Sequence, residues 1–487
     1  MSQQAIEGLK PELIWKRFYE LTQIPRPSKK EGKVLEYLRK FAKDNQIEMK
    51  EDKVGNIVMF LPATKGYENT PKVVLQGHVD MVCEKNKGTE HDFENDPLKI
   101  RRDGDWIRAT GTTLGADNGI GVAAALAVVH DETVVHGPVE ILCTIDEETG
   151  MTGVNNLEPG FISGKILLNM DSEEDGTFYV GCAGGQDTIG YLPLEFVSTG
   201  SGKTAFELMV TGLSGGHSGL DIHRGRGNAI KLLARLLNDL KSCGIEIAEL
   251  KGGSLRNAIP REAEAVILID PSVENSVKNK IAGFIEKALL EYKVTDPGLA
   301  VKFEKAATMP EQVMSGKTFN SVMNLIYAMP HGVMAMSPDI EGLVESSTNL
   351  AVVATEKGKL RVATSQRSSI ESAKKNIVQA VKSVFELVGA EITEGDGYPG
   401  WQPNMDSELL KISKEVSKNL FGKEPEIKAI HAGLETGLLG AKYPGLDMIS
   451  FGPTIMDAHS PDERVNIPDV EKFYNLLKGI LAKIAGK

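Results

Sequence analysis

The sequence predicts an α/β protein. Its main domain carries a mixed, largely parallel sheet with helices on both faces, and a second, α+β domain is inserted into it. Three observations predict this. The chain has 487 residues, well beyond the roughly 250–300 at which a single hydrophobic core stops growing. Apolar strands alternate with helices over the first 180 or so residues and again over the last part of the chain, the rhythm of βαβ units. Between these stretches the character changes to hairpins and amphipathic helices. The expected boundaries are 1–184 and 400–487 for the two parts of the main domain, with 185–399 inserted.

The elements follow in order. Residues 7–46 read as two helices around the turn-rich IPRPSKKEG, where Pro25, Pro27 and Gly32 break the pattern. GNIVMFLP (55–62) and KVVLQGHVD (72–80) are strand-like. GIGVAAALAVVHD (119–131) is a helix of small residues suited to close packing on a sheet. VEILCTID (139–146) and KILLNMD (165–171) are apolar strands that end in acidic loops. GCAGGQD (181–187) reads as a crossing point. Beyond it come a strand at 203–212, a helix at 228–240, a strand at 262–270 and a helix at 277–292. A second series then follows in tandem, with strand 301–307, helix 320–329, hairpin 348–368 and helix 372–390. The order suggests an internal duplication of two β-α-β-β-α-like halves. GDGYPGW (395–401) marks a second linker. The tail returns to α/β character: helix 407–420, strand 426–430, helix 433–441, strand 447–452 and helix 468–485.

Composition narrows the function classes. Hydrophobic residues make up 41% and charged residues 25%, as in an ordinary globular protein, and the formal net charge is −12. That balance argues against nucleic-acid binding, which uses a basic face, and against an anionic membrane surface. No run of about 18 apolar residues suits a membrane span, and the N-terminus lacks a signal-peptide h-region. Four cysteines occur without a C-x-x-C pair, which disfavours a thiolate zinc site and suits a reducing compartment. The expectation is a cytoplasmic protein.

Histidine and carboxylate residues gather at the ends of the apolar strands. His78 and Asp80 stand two apart in GHVDM, so an extended chain would put them on one face. Asp117 opens a helix in GADNG. Glu147 and Glu148 follow a strand in IDEETG, Asp171 follows another in NMDSEE, and His459 lies in MDAHSPDE after strand 447–452. Each piece alone has an ordinary reading as a turn, a cap or a solvated loop. Together they fall where open α/β sheets collect ligands, outside the carboxyl ends of strands. Imidazole plus carboxylate suits zinc. A two-metal site needs a bridging carboxylate, terminal ligands, and one further carboxylate left free as general base.

The order H-x-D, A-D-N-G, D-E-E-x-G, N-x-D and a late A-H-S-P-D-E resembles the M20 metallopeptidase family, in particular its aminoacyl-histidine and cytosolic non-specific dipeptidase branch. LSGGHSGLDIH (213–223) and HAGLETG (431–437) fit the same branch, and the similarity spans nearly the full chain. The resemblance implies a hydrolase of dipeptides, including Xaa-His and β-Ala-His, with two Zn²⁺ per chain; Mn²⁺ or Co²⁺ are possible substitutes. It implies that His78 and Asp171 bind one metal, that Glu148 and His459 bind the other, and that Asp117 bridges them. Glu147 would be the general base and Asp80 would orient His78. A cis peptide is expected between Asp117 and Asn118. His217, in the inserted lid, would stabilise the oxyanion on lid closure about hinges near Gly184–Gly185 and Gly397–Gly400. Arg367 with Asn349 would hold the substrate carboxylate, and Glu435 its amine. In relatives with smaller lids such a histidine comes from a partner subunit; here the second lid half could take the partner's place, leaving monomer or homodimer open. Asp171, where carboxypeptidase relatives have Glu, favours the dipeptidase side. The alternatives are an N-acyl amino acid amidohydrolase of the same superfamily and, without chemistry, a binding protein on the same scaffold.

Overall fold

The computed structural model describes residues 2–395 and 397–487; Met1 and Asp396, the latter within the predicted linker 395–401, lie outside the described residues. The chain forms two compact units. The first comprises the chain up to Gly181 together with Pro403–Ala429 and Leu434–Lys487; the second is Cys182–Gln402 with Ile430–Gly433. The short segment Ile430–Gly433 therefore groups with the insertion, although the sequence places it in the tail.

An eight-stranded sheet organises the first unit. Its order is Glu48–Glu51, Ile57–Leu61, Val139–Thr144, Val73–His78, Ile166–Asn169, Asp447–Ser450, Thr177–Cys182, Glu426–Ile430. The four strands from Val139–Thr144 to Asp447–Ser450 are mutually parallel, while both strands beyond Val139–Thr144 pair antiparallel. Val73–His78 and Val139–Thr144 are buried along their whole length, which is why they read as largely apolar runs rather than alternating ones. Four neighbouring parallel strands thus end at one edge. His78 is the last residue of one of them, and Glu147 and Asp171 follow two others within three residues.

A smaller sheet escaped the sequence reading because its strands are two to four residues long. Its order is Ile455–Met456, Arg464–Asn466, Trp106–Ala109, Ile100–Asp103. It holds the base of the loop that carries His459, whose backbone is left-handed at φ 63°.

The inserted unit has a nine-stranded sheet, all of whose assigned pairings are antiparallel. One half runs strand Thr204–Thr211, helix Ala229–Leu240, strands Glu246–Gly252 and Ala263–Ile269, helix Glu274–Tyr292, strand Ala300–Lys305. In the sheet its four strands lie in the order fourth, first, third, second. The other half starts with Gly184–Pro193 and resumes with helix Gly316–Ala328, strands Val344–Glu356 and Lys359–Ser368, helix Glu371–Leu387 and strand Glu391–Glu394. Its strands repeat the same order, fourth, first, third, second. Each half is a βαββαβ unit. The tandem arrangement read from the sequence is corrected on one point: the first half is nested after the first strand of the second. Residues 301–307, assigned to the second half, close the first by pairing with Thr204–Thr211. The halves meet where Gly252 pairs Val353. Phe206, Leu208 and Val210, alternating along one strand, join Leu233, Phe284, Val322 and Phe385 from the four helices in a single buried core.

Candidate metal centre

The first unit brings the predicted ligands together in two groups that share one residue. His78, Asp117 and Asp171 can each offer a ligand atom, all within 4.8 Å of one another, and so can Asp117, Glu148 and His459. Asp117 spans both groups. Its Oδ1 lies 3.1 Å from His78 Nε2 and its Oδ2 lies 3.1 Å from His459 Nε2. Asp171 Oδ1 is 3.3 Å from His78 Nε2, and Glu148 Oε2 is 3.1 Å from His459 Nε2. Two ligands of one tetrahedral ion, each about 2.0–2.2 Å from it, stand about 3.3–3.6 Å apart, so these spacings need little adjustment. Glu148 Oε1 and Asp171 Oδ1 are buried with no hydrogen-bond partner among the described residues. Buried carboxylate oxygens are rarely left in that state unless something else satisfies them. The donor set, three carboxylates and two imidazoles, fits divalent zinc.

The electrostatics point the same way. Burial pushes the Asp171 carboxyl up to about 7, against the pull of His78. Hydrogen bonds to Asp117 and Glu148 raise His459 to about 11. Burial opposes the charge on Asp117, yet His459 and His78 hold it well below the usual carboxylate range. The cluster has more negative charge than its two imidazoles can balance.

Glu147 belongs to neither group that shares Asp117, though it lies within 4.8 Å of His78 and Glu148. Burial, with the charges of Asp171, Glu435 and Glu148, lifts its carboxyl well above the ordinary range, against His78. Its backbone N–H donates to Asp80 Oδ1 at 3.1 Å, and that of Glu148 to Asp80 Oδ2 at 3.3 Å. Asp80 also accepts from Ser28 Oγ at 2.8 Å and stands 3.3 Å from His78 Nδ1. Burial opposes its charge too, but His78 and these donors keep it at about 2. One carboxylate therefore orients both an imidazole and the turn bearing the two glutamates.

The peptide between Asp117 and Asn118 is cis, as the resemblance implied. Asn118 Nδ2 donates to Met170 O at 2.6 Å, and a Cβ on Gly77 would fall 2.3 Å from Asn118 Oδ1. Glycine at 77 is what lets this segment lie against the strand.

Several contributors went unassigned in the sequence. Glu463 accepts the backbone N–H groups of Leu114, Gly115, Ala116 and Asp117 at 2.6–3.3 Å, fixing the loop that aims Asp117. Arg26, almost wholly buried, donates to the carbonyls of Val79 and Asp80 at 2.9 and 2.8 Å, and to that of Gly115. The final glutamate of HSPDE was visible as a motif residue. Nothing local in IPRP distinguishes Arg26 from a surface cation.

Glu435, at the start of helix Glu435–Lys442, is completely buried. Its Oε2 accepts from Gln76 Nε2 at 2.6 Å and Thr144 Oγ1 at 2.8 Å, while its Oε1 has no partner among the described residues. Burial raises it to about 8, against the opposing charge of His78.

The other three predicted residues lie in the inserted unit. His217 pairs with Ala258 in a two-residue bridge. Its Nδ1 faces the backbone N–H groups of Gly219 and Leu220 at 3.2 and 3.1 Å, so the proton sits on Nε2. Burial and the nearby Arg367 lower its pKa. Asn349 Nδ2 donates to Ala258 O at 2.8 Å, so its amide nitrogen braces the strand beside His217, and only its Oδ1 is unpartnered among the described residues. Arg367 opens on a cavity of about 160 Å³ that Arg256 and Asn257, two residues the sequence reading passed over, also line.

The sequence is 42% identical to the cytosol non-specific dipeptidase of Escherichia coli K12 over 99% of both chains. The structure superposes on the aminoacylhistidine dipeptidase of Vibrio alginolyticus with a TM-score of 0.92, at 42% identity and 99% coverage of both chains. Aminopeptidase PepT of Bacillus cereus shares the fold, with a TM-score of 0.58 at 16% identity over 98% of this chain and 99% of that one. Residues 74–483 match peptidase family M20/M25/M40, and the chain belongs to that family.

Proposed function

We propose that the protein is a cytosolic, two-zinc dipeptidase that cleaves the single peptide bond of dipeptides, Xaa-His and β-Ala-His among them. One observation carries the reading: two ligand groups share Asp117, and Glu147, beside them, belongs to neither. Bound divalent ions would polarise the scissile carbonyl and acidify water. His78 and Asp171 would hold one, Glu148 and His459 the other, with Asp117 between. Glu147 takes a proton from the attacking water and returns it to the leaving amine, a role suited by its raised pKa. Asp80 keeps His78 and the Glu147–Glu148 turn in register. His217, with its proton on Nε2, is the oxyanion donor. Arg367, with Asn349 beside it, takes the substrate carboxylate, and the unpartnered Glu435 Oε1 takes the amine. The identity with named dipeptidases over the whole chain supports this substrate class. Among the described residues no helix is long and apolar enough to cross a membrane, in keeping with a cytosolic place.

The test is hydrolysis of a dipeptide panel, including β-Ala-His, against N-acetyl amino acids, with and without chelator. Chelator-sensitive cleavage of dipeptides is expected. Preference for N-acetyl amino acids would move the protein to the amidohydrolase reading, and activity untouched by exhaustive chelation would remove the metal from the mechanism.

A further inference from the structure

Arg367 is an unusual cation. It is 8% exposed, makes no ion pair among the described residues, and its Nε is buried without a partner. Nearby Arg256, by contrast, is neutralised by Asp187 at 2.8 Å. The one hydrogen bond its side chain makes among the described residues is from Nη1 to the hydroxyl oxygen of Tyr398, at 2.9 Å. Tyr398 is itself immobilised. Its backbone exchanges hydrogen bonds with Gly185 at 2.9 and 3.1 Å, and its carbonyl accepts from the buried Lys374 Nζ at 2.7 Å. Its ring lies so close to Gly185 that a Cβ there would meet ring atoms at 2.6 Å. A glycine, a lysine and a strand pairing thus converge on one phenol, and the phenol oxygen rests on one guanidinium.

We infer that Tyr398 is a positioning residue for substrate binding: it fixes the Arg367 guanidinium at the cavity wall so that the remaining N–H groups meet the C-terminal carboxylate of a dipeptide. The inference rests on the reading of Arg367 as the carboxylate partner. An arginine held only by its own stem must surrender rotamer freedom when it binds; one already tethered has less to lose. A hydrogen bond to a charged group is among the stronger kinds, so its removal is felt in affinity by roughly tenfold. Tyr398→Phe removes only the oxygen and keeps the ring against Gly185.

The experiment compares a dipeptide with its C-terminal amide, in wild type, Tyr398→Phe and Arg367→Lys, all metal-loaded. In Tyr398→Phe we expect KM for the free dipeptide to rise about tenfold with kcat within about twofold, so that the preference for acid over amide shrinks by a similar factor. Arg367→Lys should erode the same preference further, because lysine cannot form the paired bonds to a carboxylate. If Arg367→Lys loses the preference and Tyr398→Phe keeps it, Tyr398 plays no positioning part although Arg367 binds carboxylate. If both variants keep it, the Arg367 reading itself fails and the inference falls with it. A Tyr398→Phe protein that loses kcat and thermal stability alike on both substrates would show the phenol to be structural only, which also overturns the proposal.

Discussion

In the first unit His78 and His459 each face two or three carboxylates within 3.3 Å, and both pKa values are raised. In the inserted unit His217, His331 and His431 face backbone amides, a hydroxyl and cations. Burial draws His331 down to about 4 and His431 to about 3, with Lys231 and Arg367 respectively adding to the effect, and His217 also falls. The same side chain is thus prepared for opposite uses. One unit concentrates negative charge for cations. The other holds His217, His331 and His431 below the ordinary range, two of them near Arg367, an arginine with no counter-ion among the described residues. A hydrolase of short zwitterions needs both kinds of surface, and here the two kinds are carried by different units.

The comparison can be broken most severely at Glu147. Glu147→Gln should lower kcat by about 10²–10⁴ with full metal content, because it deletes proton transfer and spares the ligands. Glu148→Gln should instead lose metal, measured by elemental analysis of the purified protein. If the two variants cannot be told apart in both assays, the division between base and ligand is wrong. The matching cut in the other unit is His217→Ala, expected to cost about 10²–10³ in kcat with metal intact. An unchanged kcat would leave the inserted histidines without a part in chemistry. Metal addition sharpens the contrast at the level of stability. At 100 times its dissociation constant, zinc should stabilise the protein by about 2.7 kcal/mol, and hydrogen exchange should show the protection concentrated around residues 76–80, 114–118 and 145–149 rather than in the inserted sheet. Uniform protection would contradict a separately built cation site.

The smallest effect concerns pH. His331 titrates at about 4 when folded and near about 6.5 when unfolded. Between those values the unfolded chain binds a proton that the folded one refuses, so this residue's contribution falls as pH drops through the window and is constant above about 6.5. His331→Gln should therefore lose less stability than wild type between pH 7 and pH 5, by up to about 2 kcal/mol in urea titrations. Equal losses would show that His331 accepts its proton in the fold.

What the sequence displayed depended on how locally each feature is made. Three of the candidate ligands, His78, Glu148 and Asp171, were legible because they stand at or within four residues of the ends of buried parallel strands, and such strands announce themselves as apolar runs. Arg26 was not legible, and Glu463 was legible as a motif residue but not in its role, because their work is to bind backbone groups 53 to 89 and roughly 350 positions away, and no spacing records that. The strand Gly184–Pro193 was taken for a crossing point. Its opening GGQD looks like linker, and Gly184 and Gly185 there answer to neighbours from residues 398–400, which only the fold reveals. That one misreading turned a nested duplication into a tandem one.

The nesting has a consequence for synthesis. A chain leaving the ribosome delivers Gly184–Pro193 first, then a complete βαββαβ half, and only later the strands Lys359–Ser368 and Glu391–Glu394 that flank the early strand. The nested half has every partner it needs as it emerges, whereas the host half must keep an unpaired strand waiting across the whole of it. Vectorial folding should therefore show the nested half protected first, with Gly184–Pro193 the last strand of the insertion to become resistant to protease on a stalled nascent chain.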